Sequence, residues 1–208
     1  MTESDATLLQ PFGLVPKKYL MFCARLVKHK GAHVLVEAWK KAKILRPDLT
    51  HEMKIAIVGG SAFTDDYVKS LTTLSKNDSS IVFTGTQIGE TLHALFANCY
   101  AIVHPSESEG LPIAVLEAMS YGKCVLSSDI PENMELTRDH GVTFSVGNVD
   151  DLAQKIIMLL EAPEHVTAVG SEARIHVAKH YDWKDIAETT EYLYELVLLD
   201  PVVKEAKA

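Results

Sequence analysis

His104-Pro-Ser-Glu-Ser-Glu109-Gly-Leu-Pro-Ile-Ala-Val-Leu-Glu117-Ala-Met-Ser-Tyr-Gly-Lys-Cys-Val-Leu-Ser-Ser-Asp-Ile-Pro-Glu-Asn-Met-Glu135 sets a strand end, an acidic loop, a helix and a second strand within 32 residues. Tyr100-Ala-Ile-Val-His104 before it and Lys123-Cys-Val-Leu-Ser127 inside it are short apolar runs of the kind that form buried parallel strands. Pro112 suits the first turn of a helix, where its missing N–H costs nothing, and Gly110 permits a backbone path close to a ligand. Free amides around that helix start, which Leu111 and Pro112 open, together with the positive end of the macrodipole, favour phosphate or sugar oxygens. Glu109 lies in the loop and Glu117 about two turns inside the helix, on a face that can return to the same cleft. A carboxylate there can accept two hydroxyl protons and suits a ribose cis-diol. Taken alone, two acids flanking a helix start are more often plain dipole partners.

Working outward, strands and helices alternate. Tyr19 to Ala24 reads as a strand running into Arg25-Leu-Val-Lys28-His-Lys30-Gly31, and a helix follows from Ala32 to Ile44. Met53 to Val58 is a strand ending in Gly59-Gly60, and Thr64 to Ser75 is a helix. Ser80 to Thr84 is a strand, Glu90 to Ala97 a helix, and Val142 to Ser145 a short last strand. Such alternation predicts an α/β fold with a mostly parallel, Rossmann-like sheet covered by helices on both faces. Three helices close the chain, from Asp150 to Leu160, Pro163 to His180 and Trp183 to Leu199. Trp183, Ile186, Tyr192, Leu193, Leu196 and Val197 in the last read as core or docking contacts. Residues 1–18 read as a linker or lead-in segment, 19–199 as one domain and 200–208 as a tail.

Arg25 and Lys30 fall at a strand-to-helix loop, where a guanidinium fork and an ammonium can neutralise a diphosphate. By composition alone, Lys28, His29 and Lys30 are better explained as a solvated loop. Gly59-Gly60-Ser61 occupies the position of a phosphate-cradling turn but lacks the full glycine spacing. Asp65-Asp66 and Asp150-Asp151 stand at helix starts and read as dipole partners, so no metal site is expected. The formal charge of -8 speaks against non-specific nucleic-acid binding. Cys23, Cys99 and Cys124 sit in or beside apolar runs and read as buried thiols, neither disulfides nor zinc ligands. No stretch is long and apolar enough to span a membrane.

The runs Pro-Ser-Glu-Ser-Glu109-Gly-Leu-Pro, Leu-Glu117-Ala-Met-Ser-Tyr-Gly and Ser-Asp-Ile-Pro-Glu-Asn133 resemble the donor-site signature of family 4 (group 1) glycosyltransferases of the GT-B fold. The likeness runs from about Lys18 to Leu199, close to half of a usual family member. It implies the C-terminal donor-binding domain of a retaining, metal-independent enzyme that moves a hexose-type sugar to a glycan or lipid-linked acceptor, as in polysaccharide biosynthesis. It implies that Arg25 and Lys30 hold the donor phosphates, that Glu109 meets the sugar, that Glu117 meets the ribose, and that the loop containing Thr86 lies near the base. The donor is then a nucleotide sugar, UDP- or dTDP-linked first and GDP-linked second, with no further cofactor. An acceptor-binding N-terminal domain or partner chain is expected, as is a cytoplasmic location, at the inner membrane face if the full enzyme associates peripherally.

Three departures from the family pattern stand out: Ala24 and His29 beside the basic residues, and Pro131-Glu132 in place of small residues after Ser128-Asp129. The last alters the loop near the sugar and leaves the sugar open. His104 could reach the site or serve as a structural histidine. Two other readings stay open: a non-catalytic nucleotide-sugar-binding subunit of a split transferase, and another GT-B enzyme such as an epimerase or a phosphorylase.

Overall fold

The computed structural model describes residues 5–199. Six strands, β1 (Tyr19–Cys23), β2 (Lys54–Val58), β3 (Ile81–Gly85), β4 (Ala101–His104), β5 (Val125–Ser128) and β6 (Val142–Phe144), form one sheet in the order β3-β2-β1-β4-β5-β6 with every pairing parallel. The α/β, Rossmann-like architecture expected from the alternating pattern is the one observed. Strand order reverses between β1 and β4, which pair through Leu20 with Ala101 and Met21 with Ile102. The connections leaving these two strands head to opposite sides, so a crevice opens beyond their carboxyl ends.

The apolar runs alternate between two cores. In β1, Leu20 and Phe22 join Trp39, Ile55 and Ile57 on one face, while Tyr19 and Met21 join Ala56, Val58 and Ile102 on the other. Polar tips buried with these cores find partners: Tyr19 Oη donates to the Leu95 carbonyl at 2.6 Å, and Trp39 Nε1 donates to Ser80 Oγ at 2.9 Å. A half-buried Cys23 and buried Cys99 and Cys124 are all free, and burial pushes each thiol up to about 12.

The helices are α1 (Ala32–Leu45), α2 (Pro47–Thr50), α3 (Asp65–Leu74), α4 (Gly89–Asn98), α5 (Ile113–Ser120), α6 (Pro131–Thr137), α7 (Val149–Glu161), α8 (Pro163–His180) and α9 (Trp183–Leu199). Two of them, α2 and α6, fall in stretches that the sequence pattern leaves as loops. Within the stretch expected to lead into the domain, Ala6–Phe12 form a 3-10 helix capped by Asp5, and Leu9 and Leu14 are buried in the second core. Arg25 and Lys30 therefore follow β1 and Glu109 follows β4, the two central strands of the sheet.

The apolar residues of α9, read from the sequence as core or docking contacts, belong to neither core: every side chain from Asp182 to Leu198 is exposed, including Trp183, Ile186, Tyr192, Leu193, Leu196 and Val197, which is the exposed patch that a helix docking on an absent surface leaves. Helical periodicity identifies an apolar face but not the surface that covers it. The 200–208 tail lies outside the described residues. Among the described residues no helix is long and apolar enough to cross a membrane.

Candidate functional site

A 210 Å³ cavity opens where β1 and β4 end, lined by Cys23, Ala24, Arg25, Lys30, His104, Glu109 and the four residues Leu111 to Ala114. Two close backbone approaches shape it. Gly31 has φ +73°, and a Cβ there would stand 2.1 Å from the Pro105 carbonyl oxygen. Only glycine lets the loop after β1 lie against the loop after β4, which brings Lys30 beside Glu109. Gly59, at φ +144°, likewise has room only for hydrogen, since a Cβ would sit 1.9 Å from the Ala24 oxygen. A further tie runs from the Glu107 amide to the His29 carbonyl at 2.8 Å.

Glu109 is the centre of the polar contacts. Its Oε2 accepts from Lys30 Nζ at 2.6 Å, and its Oε1 accepts from Ser106 Oγ at 2.6 Å and lies 2.7 Å from His104 Nε2. These side chains are largely covered, with 6% of Glu109, 3% of His104 and 14% of Lys30 exposed. Burial pushes the Glu109 carboxyl up, but the hydrogen bonds from His104, Lys30 and Ser106 outweigh it and hold the group at about 2. An ionised carboxylate only accepts, so His104 carries its proton on Nε2. Lys30 spends one of three N–H donors on Glu109 and keeps two. Arg25 lies exposed at the rim, with its fork facing no acid among the described residues.

The remaining candidates take other positions. Leu111 and Pro112 line the cavity, with Pro112 as the N-cap of α5 rather than its first residue, and the Ile113 amide is turned onto the Leu111 carbonyl at 2.9 Å. Gly110 has no positive φ, and a Cβ there would meet no protein atom within 4 Å, so the protein's own packing does not demand glycine at this position. Gly60 faces Thr86, whose Oγ1 would lie 2.6 Å from a Cβ at that glycine, so these two loops adjoin one another next to the cavity wall rather than on it. Glu117 is half-buried on α5 and absent from the wall of the cavity. Burial raises its carboxyl pKa, opposed by His93. His104 and Ser106, which the sequence pattern does not single out as partners, are the residues that fix Glu109. The only hint in the chain is a histidine at the last position of an apolar strand.

The family model for glycosyl transferases group 1 matches residues 9–176. The chain belongs to the group 1 glycosyltransferase family. It is 36% identical over 151 residues to the sulfoquinovosyl transferase SQD2 of Arabidopsis thaliana, which covers 69% of this chain and 28% of that protein. An uncharacterized glycosyltransferase of Methanocaldococcus jannaschii is 28% identical over 184 residues, covering 88% of this chain and 46% of its own length. Among solved structures, Anabaena HepE in complex with UDP and glucose superposes with a TM-score of 0.79 at 25% identity, covering 92% of this chain and 53% of that one. The group 1 glycosyltransferase chain thus spans about half or less of the length of these relatives.

Proposed function

We propose that this chain is the donor-binding unit of a glycosyltransferase, the C-terminal domain of a family 4 enzyme, with residues 19–199 as its nucleotide-sugar-binding domain. The observation that carries the reading is one cavity, at the point where strand order reverses, that combines Arg25 and Lys30 with an ionised Glu109. Two cations match a diphosphate, and a carboxylate beside them matches a sugar hydroxyl. Anabaena HepE, similar across most of this chain, was solved with UDP and glucose, which supports a UDP-sugar as the first donor to test, with dTDP- and GDP-sugars next.

In this account the sugar–phosphate bond breaks with its electron pair leaving on the diphosphate. Arg25 and Lys30 stabilise that charge more strongly in the transition state than in the bound donor. Positive charge from two side chains fits a transfer that proceeds without a divalent ion, and retention at the anomeric carbon is the outcome that the family resemblance implies. Glu109 orients a hexose-type sugar, and Glu117, on the helix behind the cavity, holds the ribose hydroxyls. The acceptor, a glycan or a lipid-linked sugar, would be bound by a further domain or chain. The exposed apolar side of α9 and the greater length of the relatives support that arrangement. The working enzyme would face the cytoplasm, at the membrane surface when its acceptor is lipid-linked.

The reading is tested by separating phosphate from nucleoside recognition. Arg25→Ala is expected to weaken UDP by about 1.5–3 kcal/mol, the worth of a hydrogen bond to a charged group, while leaving uridine unchanged. Equal losses for UDP and uridine in calorimetry contradict the phosphate role.

A further inference from the structure

The two oxygens of Glu109 are not equivalent. A carboxylate has about four acceptor positions, two on each oxygen. Among the described residues, Oε1 meets both His104 Nε2 at 2.7 Å and Ser106 Oγ at 2.6 Å, whereas Oε2 meets Lys30 Nζ alone, at 2.6 Å. Both positions on Oε1 are therefore occupied, by side chains that are themselves buried, and one position on Oε2 remains.

We propose that His104 and Ser106 are positioning residues for sugar recognition. They saturate Oε1 and turn Oε2 to the cavity, so that Glu109 accepts a single hydroxyl of a nucleotide sugar instead of gripping a vicinal pair. This inference rests on the donor-site reading above. Ser106 is itself braced from beneath: Ser128 Oγ donates to its carbonyl, and Asn133 Nδ2 donates to Ser128 Oγ at 2.9 Å and to the Ser128 carbonyl at 3.2 Å. Ser106, Ser128 and Asn133 are all fully buried. The short helix α6 thereby reaches the backbone of the acidic loop through two side chains, Asn133 and Ser128, which gives Asn133 of the Ser-Asp-Ile-Pro-Glu-Asn run a role without contact to ligand. A ring at the end of β4 and a hydroxyl on a loop whose backbone is held by Ser128 and Asn133 leave the carboxylate one orientation, as a recognition group held to within a fraction of an ångström requires.

The test compares His104→Phe, which fills the ring volume without a donor, with His104→Gln, whose amide Nε2 can reach the position of the imidazole Nε2. Ser106→Ala is the third variant, and thermal unfolding verifies that each remains folded. Calorimetric titration with UDP and UDP-glucose, and with GDP and GDP-mannose as a second pair, gives the affinity ratio of nucleotide sugar to nucleotide. His104→Phe and Ser106→Ala are each expected to lower that ratio about tenfold, with affinity for the bare nucleotide within about twofold of the parent. His104→Gln is expected to keep the parent ratio, which a role confined to packing at position 104 would not produce. An unchanged ratio in His104→Phe and Ser106→Ala overturns the inference, as does a parent chain that binds neither nucleotide sugar more tightly than its nucleotide. A parent chain that binds neither UDP nor GDP strikes instead at the donor-site reading.

Discussion

Glu109 links recognition to stability. Its folded carboxyl is held at about 2, below the 4.5 of an unstrained glutamate, so the unfolded chain takes up its proton first as pH falls. The stabilisation is complete above pH 4.5 and is lost as pH falls toward 2, amounting to about 3 kcal/mol at most from the size of the shift. Urea unfolding of Glu109→Gln is therefore expected to show a shallower loss of stability between pH 5 and 3 than the parent on the order of the same few kcal/mol. Parallel acid limbs would mean that the three hydrogen bonds do not hold the ionised form. Glu117 has the opposite sign: burial raises its folded pKa, so it favours folding at low pH and opposes it once pH rises through the raised value. Glu117→Gln is expected to leave stability near neutrality equal or higher. If Glu117 holds the ribose, the same change weakens UDP by about 1–3 kcal/mol, measured by calorimetry.

At the scale of elements, the site depends on two loops lying closer than any side chain allows. Gly31→Ala combines a left-handed φ with a Cβ 2.1 Å from the Pro105 oxygen, so a loss of more than about 2 kcal/mol in urea unfolding is expected. Gly110→Ala meets open space and is expected to change stability by less than about 1 kcal/mol. A tolerated alanine at Gly31 would show that the loops after β1 and β4 can part without cost. These glycines also mark how far the chain could be read. The strands were legible because their apolar runs are short and alternate with helical segments, and Arg25, Lys30 and Glu109 because they fall in the loops after strands. α6 was missed because Ile-Pro-Glu-Asn-Met-Glu opens on a proline and carries no apolar period, although Pro131 is simply its first residue. The 3-10 helix Ala6–Phe12 contains Pro11 and hides a single buried leucine, Leu9, which no periodicity could reveal. The grip of His104 and Ser106 on Glu109 requires the chain to turn back within five residues, a contact set by loop geometry rather than residue order.

For the whole molecule, the order of the sheet explains why residues far apart in the chain meet. β1 and β4 are neighbours at the sheet centre, so the loops carrying Lys30 and Glu109 emerge side by side although 79 positions separate them. The same layout leaves α9 outside both cores with all its described side chains from Trp183 onward exposed. Ending the chain at Tyr181 is accordingly expected to shift the calorimetric Tm by less than about 2 °C. A larger fall would show that α9 is docked on this domain in solution. The central claim is that the crevice between β1 and β4 binds the donor nucleotide through its cations. Its most direct test is calorimetric titration of the chain with UDP, dTDP, GDP and ADP at low salt, with and without magnesium. Saturable binding of one diphosphate, of equal strength in both conditions, is the predicted result; a folded chain that binds none of the four, or binds only with magnesium, contradicts it.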